Sequence, residues 1–476
     1  MERLRGKKVA LLGFGVENIS VAKFLLKNKI DFEISDQAPM EKLSEEAQRE
    51  IRDKKLEIRT GKDYLSGLDK FDIIVRSPGI PYLKPEIQAA KSSGTEITSS
   101  TKLFFEWCPA KIVGVTGTKG KGTTASLIYQ IMQKSKIKNP ACRQAWQNYN
   151  AKCKINNPTI QQFNNLFLIG NIGTPSFDII EKMQADDLVI FELSSFQLQD
   201  LEISPNISVV TNLTDDHLDY HQTLEEYRAT KRSVVKYQND KDFAILNKDY
   251  PECYKLKDFG KGKKYFFSSK ERADAFVNNR GEVILGEETI CRENEIQLLG
   301  RHNLENIAAA AIVGEILGAT IADIRSAVIS FKGLPHRLEL VREVDGVKFY
   351  NDSFSTNPMP TIAAIHSFKN PITIILGGSS KGADFTSLAD EIKNSTIKNI
   401  ILIGTESPKI RKALEQKNIK AKIILGGKNI AEIVRRAKEL SLQGSVVLFS
   451  PACASFDMFK NYKERGERFR ASVANL

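Results

Sequence analysis

Eight short runs rich in Val and Ile, each closing on glycine or a polar residue, set the strongest limit on how this chain can fold. They are KKVALLG, FDIIVRSPG, KIVGVTG, DLVIFELSS, NISVVTNLT, PITIILGG, KNIILIG and GSVVLFSPA. Stretches with helical spacing separate them. A strand apolar at nearly every position has no face to give to water, so it must be covered on both sides. Strands that alternate with helices achieve this in parallel sheets. The chain is therefore expected to be α/β, with mostly parallel sheets. At 476 residues it exceeds what one hydrophobic core supports, and three domains are expected. The pattern divides it into residues 1–109, 110–334 and 335–476.

One stretch breaks the pattern. Residues 139–165 read NPACRQAWQNYNAKCKINNPTIQQFNN, rich in Asn and Gln and without a period. This is expected to be a surface-loop insertion in the second block.

Composition narrows the function classes. The net charge of +11 comes from Lys and Arg scattered along the chain rather than gathered in a block. Nucleic acid therefore ranks last as a partner, behind a solvated cationic surface and an attraction for polyanionic small molecules. The six cysteines form no C-x-x-C pair, which argues against a zinc knuckle or a disulfide framework and fits a reducing cytoplasm. The opening MERLRGKKVALLGFGV has a short apolar run that ends in glycines without a small-residue cleavage site. It reads as a first β-strand rather than a signal peptide. No apolar run is long enough for a membrane span.

The most specific motif is VGVTGTKGKGTTAS, residues 113–126. An apolar strand leads into Gly117, Thr118, Lys119, Gly120 and Lys121, then Gly122, Thr123 and Thr124, and then a helical run. Glycines let backbone N–H groups turn inward around phosphate oxygens, and the helix N-terminus adds its dipole. Lys121 is placed to reach the terminal phosphates. A P-loop normally follows its lysine with a hydroxyl residue on Mg²⁺; Gly122 stands there, which moves that role to Thr123. ATP or GTP is implied.

Other residues of the second block have two readings each. Glu192 closes the strand of VIFELSSFQL, where a carboxylate meets either a metal or a local hydrogen bond. His217, beside Asp215, Asp216 and Asp219 in TNLTDDHLDYH, is a ligand or a loop histidine. Lys231 in EEYRATKRSVVKYQ is, by itself, a solvated helix lysine. His302, Asn303 and Asn306 open an Ala-rich helix; the two asparagines share a face and serve either a nucleotide or the helix start.

Taken in order, GTKGKGTT, GNIGTP, ELSSFQL, TNLTDDHLDYH, the Lys231 helix, GRHNLENIAAA, LPHRLE and NDSFSTNP resemble the Mur ligase family, which includes folylpolyglutamate synthetase. The tail SPACASFDMFKNYKERGERF and the segment GGSSKGADF resemble its glutamate-adding branch. The resemblance covers nearly the whole chain outside 139–165.

It implies a Rossmann-like UDP-binding domain, a central P-loop ATPase domain and a Rossmann-like C-terminal domain that binds the amino acid. It also implies a cytoplasmic, monomeric enzyme that joins D-glutamate to UDP-N-acetylmuramoyl-L-alanine through an acyl phosphate, using ATP and two Mg²⁺ ions. Lys121, Glu192, His217 and Lys231 would be catalytic, with Thr123, Glu192, His217 and a carbamylated Lys231 around metal. His302, Asn303, Asn306, Arg337 and Asp352 would join the phosphate loop in holding ATP. Thr356, Lys381, Ser455 and Tyr462 would hold glutamate; Phe354 stands where the family often has lysine, so one cationic contact is lost.

Gly15, Asp36, Ser77, Pro78 and Gly79, with Asn171 from the second block, would hold the UDP substrate. The opening strand–GFGVENIS–helix imitates a dinucleotide fingerprint, but Asn18 replaces its third glycine, which disfavours a nicotinamide oxidoreductase. A folylpolyglutamate-type or L-glutamate-specific ligase is the nearest alternative. The KGKG spelling leans toward it and the SPACASFD tail leans away.

Overall fold

All eight apolar runs become strands in the computed structural model, which describes residues 2–136, 163–170, 173–214, 223–380, 382–427 and 429–476. The chain is mixed α/β with three mostly parallel sheets. It divides into two compact units, one of residues Met1–Ile296 and Arg301–Ser330, the other of Gln297–Gly300 and Phe331–Leu476.

The first unit holds two sheets. Strands β1 (Val9–Leu12), β2 (Phe32–Asp36), β3 (Ile58–Thr60), β4 (Ile73–Arg76) and β5 (Glu96–Ser99) form an all-parallel sheet in the order β3-β2-β1-β4-β5. Strand order reverses between β1 and β4, and a crevice at such a reversal is where open α/β sheets take ligands. The second sheet has nine strands: β6 (Lys111–Thr116), β7 (Leu166–Gly170), β8 (Leu188–Glu192), β9 (Ile207–Val210), β10 (Phe243–Asn247), β11 (Lys263–Ser268), β12 (Ala275–Val277), β13 (Glu282–Leu285) and β14 (Glu288–Arg292). Their order is β14-β13-β12-β11-β10-β9-β6-β8-β7. Only the β12–β13–β14 end is antiparallel. Strand β6 lies between β8 and β9, and β8 is buried at every position, as two-sided covering requires.

The second unit is built on β15 (Glu339–Val344), β16 (Val347–Asn351), β17 (Ile372–Gly377), β18 (Ile397–Ile403), β19 (Lys422–Leu425) and β20 (Val446–Phe449), ordered β15-β16-β20-β17-β18-β19. Strands β15 and β16 pair antiparallel and the remaining neighbours pair parallel.

Most of the expected insertion lies outside the described residues; its last three positions form an irregular segment in which Asn164 and Asn165 are exposed, as a surface loop requires, and only Phe163 turns inward. Asn164 bonds to Asp186, and the Asn165 N–H donates to Asp187 at 2.7 Å. These residues belong to the approach to β7. Cys108, Cys253, Cys291 and Cys453 carry no disulfide. No helix among the described residues is long and apolar enough to cross a membrane.

Asn18 shows why the missing fingerprint glycine does no harm. Its side chain is completely buried in the first helix, Val16–Lys27. The amide donates to the carbonyls of Gly13 (2.8 Å), Val75 (3.1 Å) and Leu12 (3.3 Å), lacing the loop after β1 to strand β4. Truncation strands buried carbonyls, so Asn18→Ala should cost about 2 kcal/mol. Asn18→Gly, which restores the fingerprint, should not recover it. A wild-type thermal midpoint for either variant would refute this role.

Candidate active site

Strand β6 delivers the chain into the glycine loop, and the helix Lys121–Lys136 begins directly after Gly120. Gly117 and Gly120 have φ of +144° and +82°, conformations that L side chains rarely adopt. Space agrees with conformation. A Cβ on Gly117 would stand 2.0 Å from Thr211 Oγ1, and one on Gly120 would stand 2.3 Å from Asn306 Oδ1. The loop is held from outside by residues that the sequence did not single out. The N–H of Thr118 donates to the Asn212 carbonyl at 2.9 Å, the N–H of Lys119 donates to Asn212 Oδ1 at 2.8 Å, and Thr211 Oγ1 donates to the Lys119 carbonyl at 2.6 Å. Thr118 Oγ1 lies 2.9 Å from the Tyr227 hydroxyl. The Lys121 ammonium folds back over the loop, donating to the carbonyls of Gly117 (3.0 Å) and Thr118 (3.1 Å).

Of the two threonines after Gly122, Thr124 is buried and donates to Asn306 Oδ1 at 3.2 Å, which commits it to structure. Thr123 is half-buried in the first helical turn. Asn306 in turn donates to Asn303 Oδ1 at 2.9 Å. The shared face of these two asparagines is thus turned to the phosphate loop, and His302 opens their helix, His302–Ile316.

Glu192 is the last residue of β8 and is registered opposite Val115 of β6, two residues before Gly117. Its side chain is buried. Lys231, on the helix Leu224–Lys236, is not a solvated surface lysine. It is 1% exposed, and its Nζ donates to Thr116 Oγ1 at 2.8 Å and to the Gly117 carbonyl at 3.3 Å. Lys231 and Asn306 therefore reach the loop directly, with Asn303 behind Asn306 and Glu192 at the end of the strand beside β6. His217 and Asn171 lie outside the described residues.

A second cluster forms at the ends of β1, β2 and β4. Asp36 accepts the N–H of Phe14 at 2.6 Å and of Ala38 at 2.7 Å, which fixes the loop that carries Gly15, the N-cap of the first helix. Ser77, Pro78 and Gly79 follow β4, and the Ser77 N–H donates to the Leu12 carbonyl at 2.7 Å. Glu17, in the first turn of that helix, went unnoticed in the sequence. Burial pushes its carboxyl up to about 7; the Ser176 hydroxyl pulls it down and Asp178 raises it further.

In the second unit, Asp352 directly follows β16 and Arg337 stacks its guanidinium 3.9 Å from the centre of the Phe354 ring. Phe354 meets Tyr462 edge-on at 4.9 Å. The position that the family often gives to lysine thus carries an aromatic platform for an arginine. Tyr462 opens the helix Tyr462–Ala474, whose cap, Asn461, accepts the N–H groups of Lys463 and Glu464. Ser455 is buried in the loop after β20, and Thr356 is half-buried in the loop after β16. Lys381 lies outside the described residues.

Arg465, also unforeseen, binds these loops together. It is 1% exposed, and its guanidinium donates to Ser353 Oγ (3.0 Å), Ser353 O (2.8 Å), Cys453 O (3.0 Å) and Ala454 O (3.0 Å). The only sequence signal for it is a cation at a core-facing position of KERGERF.

Residues 115–314 match the Mur ligase middle domain, 336–453 the Mur ligase glutamate ligase domain, and 7–99 the Mur ligase MurD-like N-terminal domain. The UDP-N-acetylmuramoylalanine–D-glutamate ligase of Clostridium kluyveri is 36% identical over 480 residues, covering 99% of this chain and 98% of that protein. The protein of the same name from Acetivibrio thermocellus is 37% identical over 489 residues, covering 100% and 98%. Among solved structures, the UDP-N-acetylmuramate-alanine ligase of Thermotoga maritima superposes with a TM-score of 0.56 at 16% identity, covering 98% of this chain and 99% of that one. The MurF ligase of Thermotoga maritima in complex with ADP gives 0.54 at 18% identity, covering 100% and 96%. These two likenesses speak to the fold.

Asp352 carries a pH signature. Burial pushes its carboxyl from 3.8 up to about 6, although the hydroxyls of Ser355 (2.5 Å) and Ser450 (2.7 Å) and the Leu338 N–H donate to it and Arg337 stands near. A carboxyl whose folded value is raised binds its proton more tightly in the folded state. Its contribution to stability is complete below the unfolded value and is lost as pH rises through the folded one. Relative to Asp352→Asn, wild-type unfolding free energy should fall by about 3 kcal/mol between about pH 4 and pH 7. Parallel stability–pH curves for the two proteins would contradict this.

Proposed function

The chain belongs to the Mur ligase family, and on that premise we propose that it is an ATP-dependent ligase of peptidoglycan synthesis that adds D-glutamate to UDP-N-acetylmuramoyl-L-alanine. The observation that carries the reading is a buried lysine, Lys231, bonded to the start of the glycine loop, with buried Glu192 ending the strand beside the one that leads into it. A nucleotide-binding regulator needs the loop alone; phosphoryl transfer also needs charged groups around it.

In this reading Gly117 to Thr124 hold the phosphates of ATP, joined by His302, Asn303, Asn306, Arg337 and Asp352. Gly15, Asp36, Ser77, Pro78, Gly79 and Asn171 hold the UDP substrate, while Thr356, Lys381, Ser455 and Tyr462 hold glutamate. The carboxylate of the muramoyl-alanine attacks the γ-phosphorus, ADP leaves, and Lys121 offsets charge on the moving phosphoryl group. The glutamate amine then attacks the acyl phosphate, loses a proton, and the intermediate collapses to amide and phosphate. Thr123, Glu192, His217 and a carbamylated Lys231 would hold two Mg²⁺ ions, which when bound neutralise phosphate charge. The donor set suits a hard cation, with carboxylate and hydroxyl oxygens supplied at strand and helix ends. The enzyme is proposed to work as a cytoplasmic monomer.

Phosphate release with ATP should require both UDP-N-acetylmuramoyl-L-alanine and D-glutamate. Equal release with L-glutamate or with a folate substrate would point to the alternative ligases.

The carbamate has its own test. An ammonium offers only donors and cannot ligate Mg²⁺, whereas its CO₂ adduct offers two anionic oxygens. Lys231→Ala should lose most activity, and high concentrations of acetate should restore part of it. Near wild-type turnover of Lys231→Ala in bicarbonate-free buffer would rule the carbamate out.

A further inference from the structure

Arg76 is a charged residue in a strand that is otherwise wholly apolar, and its side chain is completely buried. It ends β4, immediately before Ser77. Its guanidinium grips the following loop from within, donating to the Ile80 carbonyl at 2.6 Å and the Ser77 carbonyl at 3.3 Å. The same group reaches across to the segment that follows β8, donating to Asp200 Oδ1 at 2.8 Å and the Phe196 carbonyl at 3.4 Å. Asp200 also accepts the Ser99 hydroxyl at 3.2 Å. A parallel strut runs alongside. The Tyr82 N–H donates to Gln199 Oε1 at 2.8 Å, and Gln199 Nε2 donates to Glu226 Oε1 at 2.8 Å. Glu226 lies in the first turn of the helix that carries Lys231.

These contacts join residues 77–82 to the segment that directly follows Glu192 and to the helix that carries Lys231. We propose that Arg76 and Asp200 are positioning residues that set the nucleotide-substrate loop in register with the phosphoryl-transfer centre. The proposal rests on the reading that residues 77–79 hold the UDP substrate.

Two physical points support it. A groove of about 530 Å³, lined in part by Tyr82, Leu83, Gln199, Asp200 and Glu226, borders the brace, so the segment after Gly79 has open space beside it rather than a packed wall. Buried ion pairs are also poor stabilisers, since apolar residues of similar volume often replace them at no loss. What the pair supplies is direction. A planar fork with five donors on three nitrogens holds several partners in fixed directions over a wider span than the single nitrogen of a lysine.

The test uses the full chain. Arg76→Met/Asp200→Leu removes both charges together and leaves no buried ion alone, and Arg76→Lys keeps the charge without the fork. Both should raise KM for UDP-N-acetylmuramoyl-L-alanine, by about tenfold in the double variant. KM for ATP should stay within about twofold, the split expected when binding geometry at one substrate is lost, although the thermal midpoint of the double variant should fall because the carbonyls held by Arg76 lose their donor. If the double variant does not fold, Arg76→Lys decides alone.

Unchanged KM for the UDP substrate, or a parallel rise in both constants, would overturn the brace while leaving the ligase assignment standing. Wild-type protein that fails to turn over this substrate would instead overturn the assignment, and the brace with it.

Discussion

The glycine loop after β6 depends on atoms that are missing. The backbone can pass between Thr211 on one side and Asn306 on the other only because Gly117 and Gly120 carry no Cβ. Everything nearby is arranged around that emptiness. Thr211 and Asn212 stitch the loop to the end of β9, Asn306 supports it from the helix His302–Ile316, and Lys231 rises beneath it. A loop held at this many points has little freedom to lose, and preorganised groups stabilise moving charge without rearranging.

The three sheets repeat one solution. In each, functional candidates sit on loops at the carboxyl ends of parallel strands: Ser77 after β4, Gly117 after β6, Asp352 after β16. Parallel strands all finish at the same edge, so residues distant in sequence arrive together without special loops. The architecture therefore concentrates chemistry along three edges and leaves the opposite ends to packing.

What could be read from the chain in advance follows the range of the forces involved. The apolar runs and the glycine loop are local patterns, and the strands and phosphate loop appear where those patterns lie. Lys231 could not be placed this way. Its helix carries Glu225, Glu226, Arg228, Arg232 and Lys236, so the sequence resembles a solvated face, and only the packing of the helix under the loop decides which cation is buried. Arg76 and Asp200 were invisible for a related reason: a pair separated by 124 positions has no sequence period. Asn18 was legible as a departure from the dinucleotide fingerprint, but not as the buried amide that laces the turn, because its acceptor on Val75 lies 57 positions away.

Arg465 has a kinetic meaning as well as a structural one. It ties its own helix to Ser353, 112 positions earlier, so the loop between them must close before the contact exists. Loop closure is costed before its reward arrives, and contacts of this span form late. A form of the second unit in which the helix Tyr462–Ala474 has not docked therefore lacks the guanidinium that joins the loops of Ser353 and Ala454, even where Asp352 is still held by the Phe449 carbonyl and the Ser450 hydroxyl. Such a form would retain secondary structure yet lack a binding surface, which makes native spectra a poor witness to a finished site and ligand capture a better one.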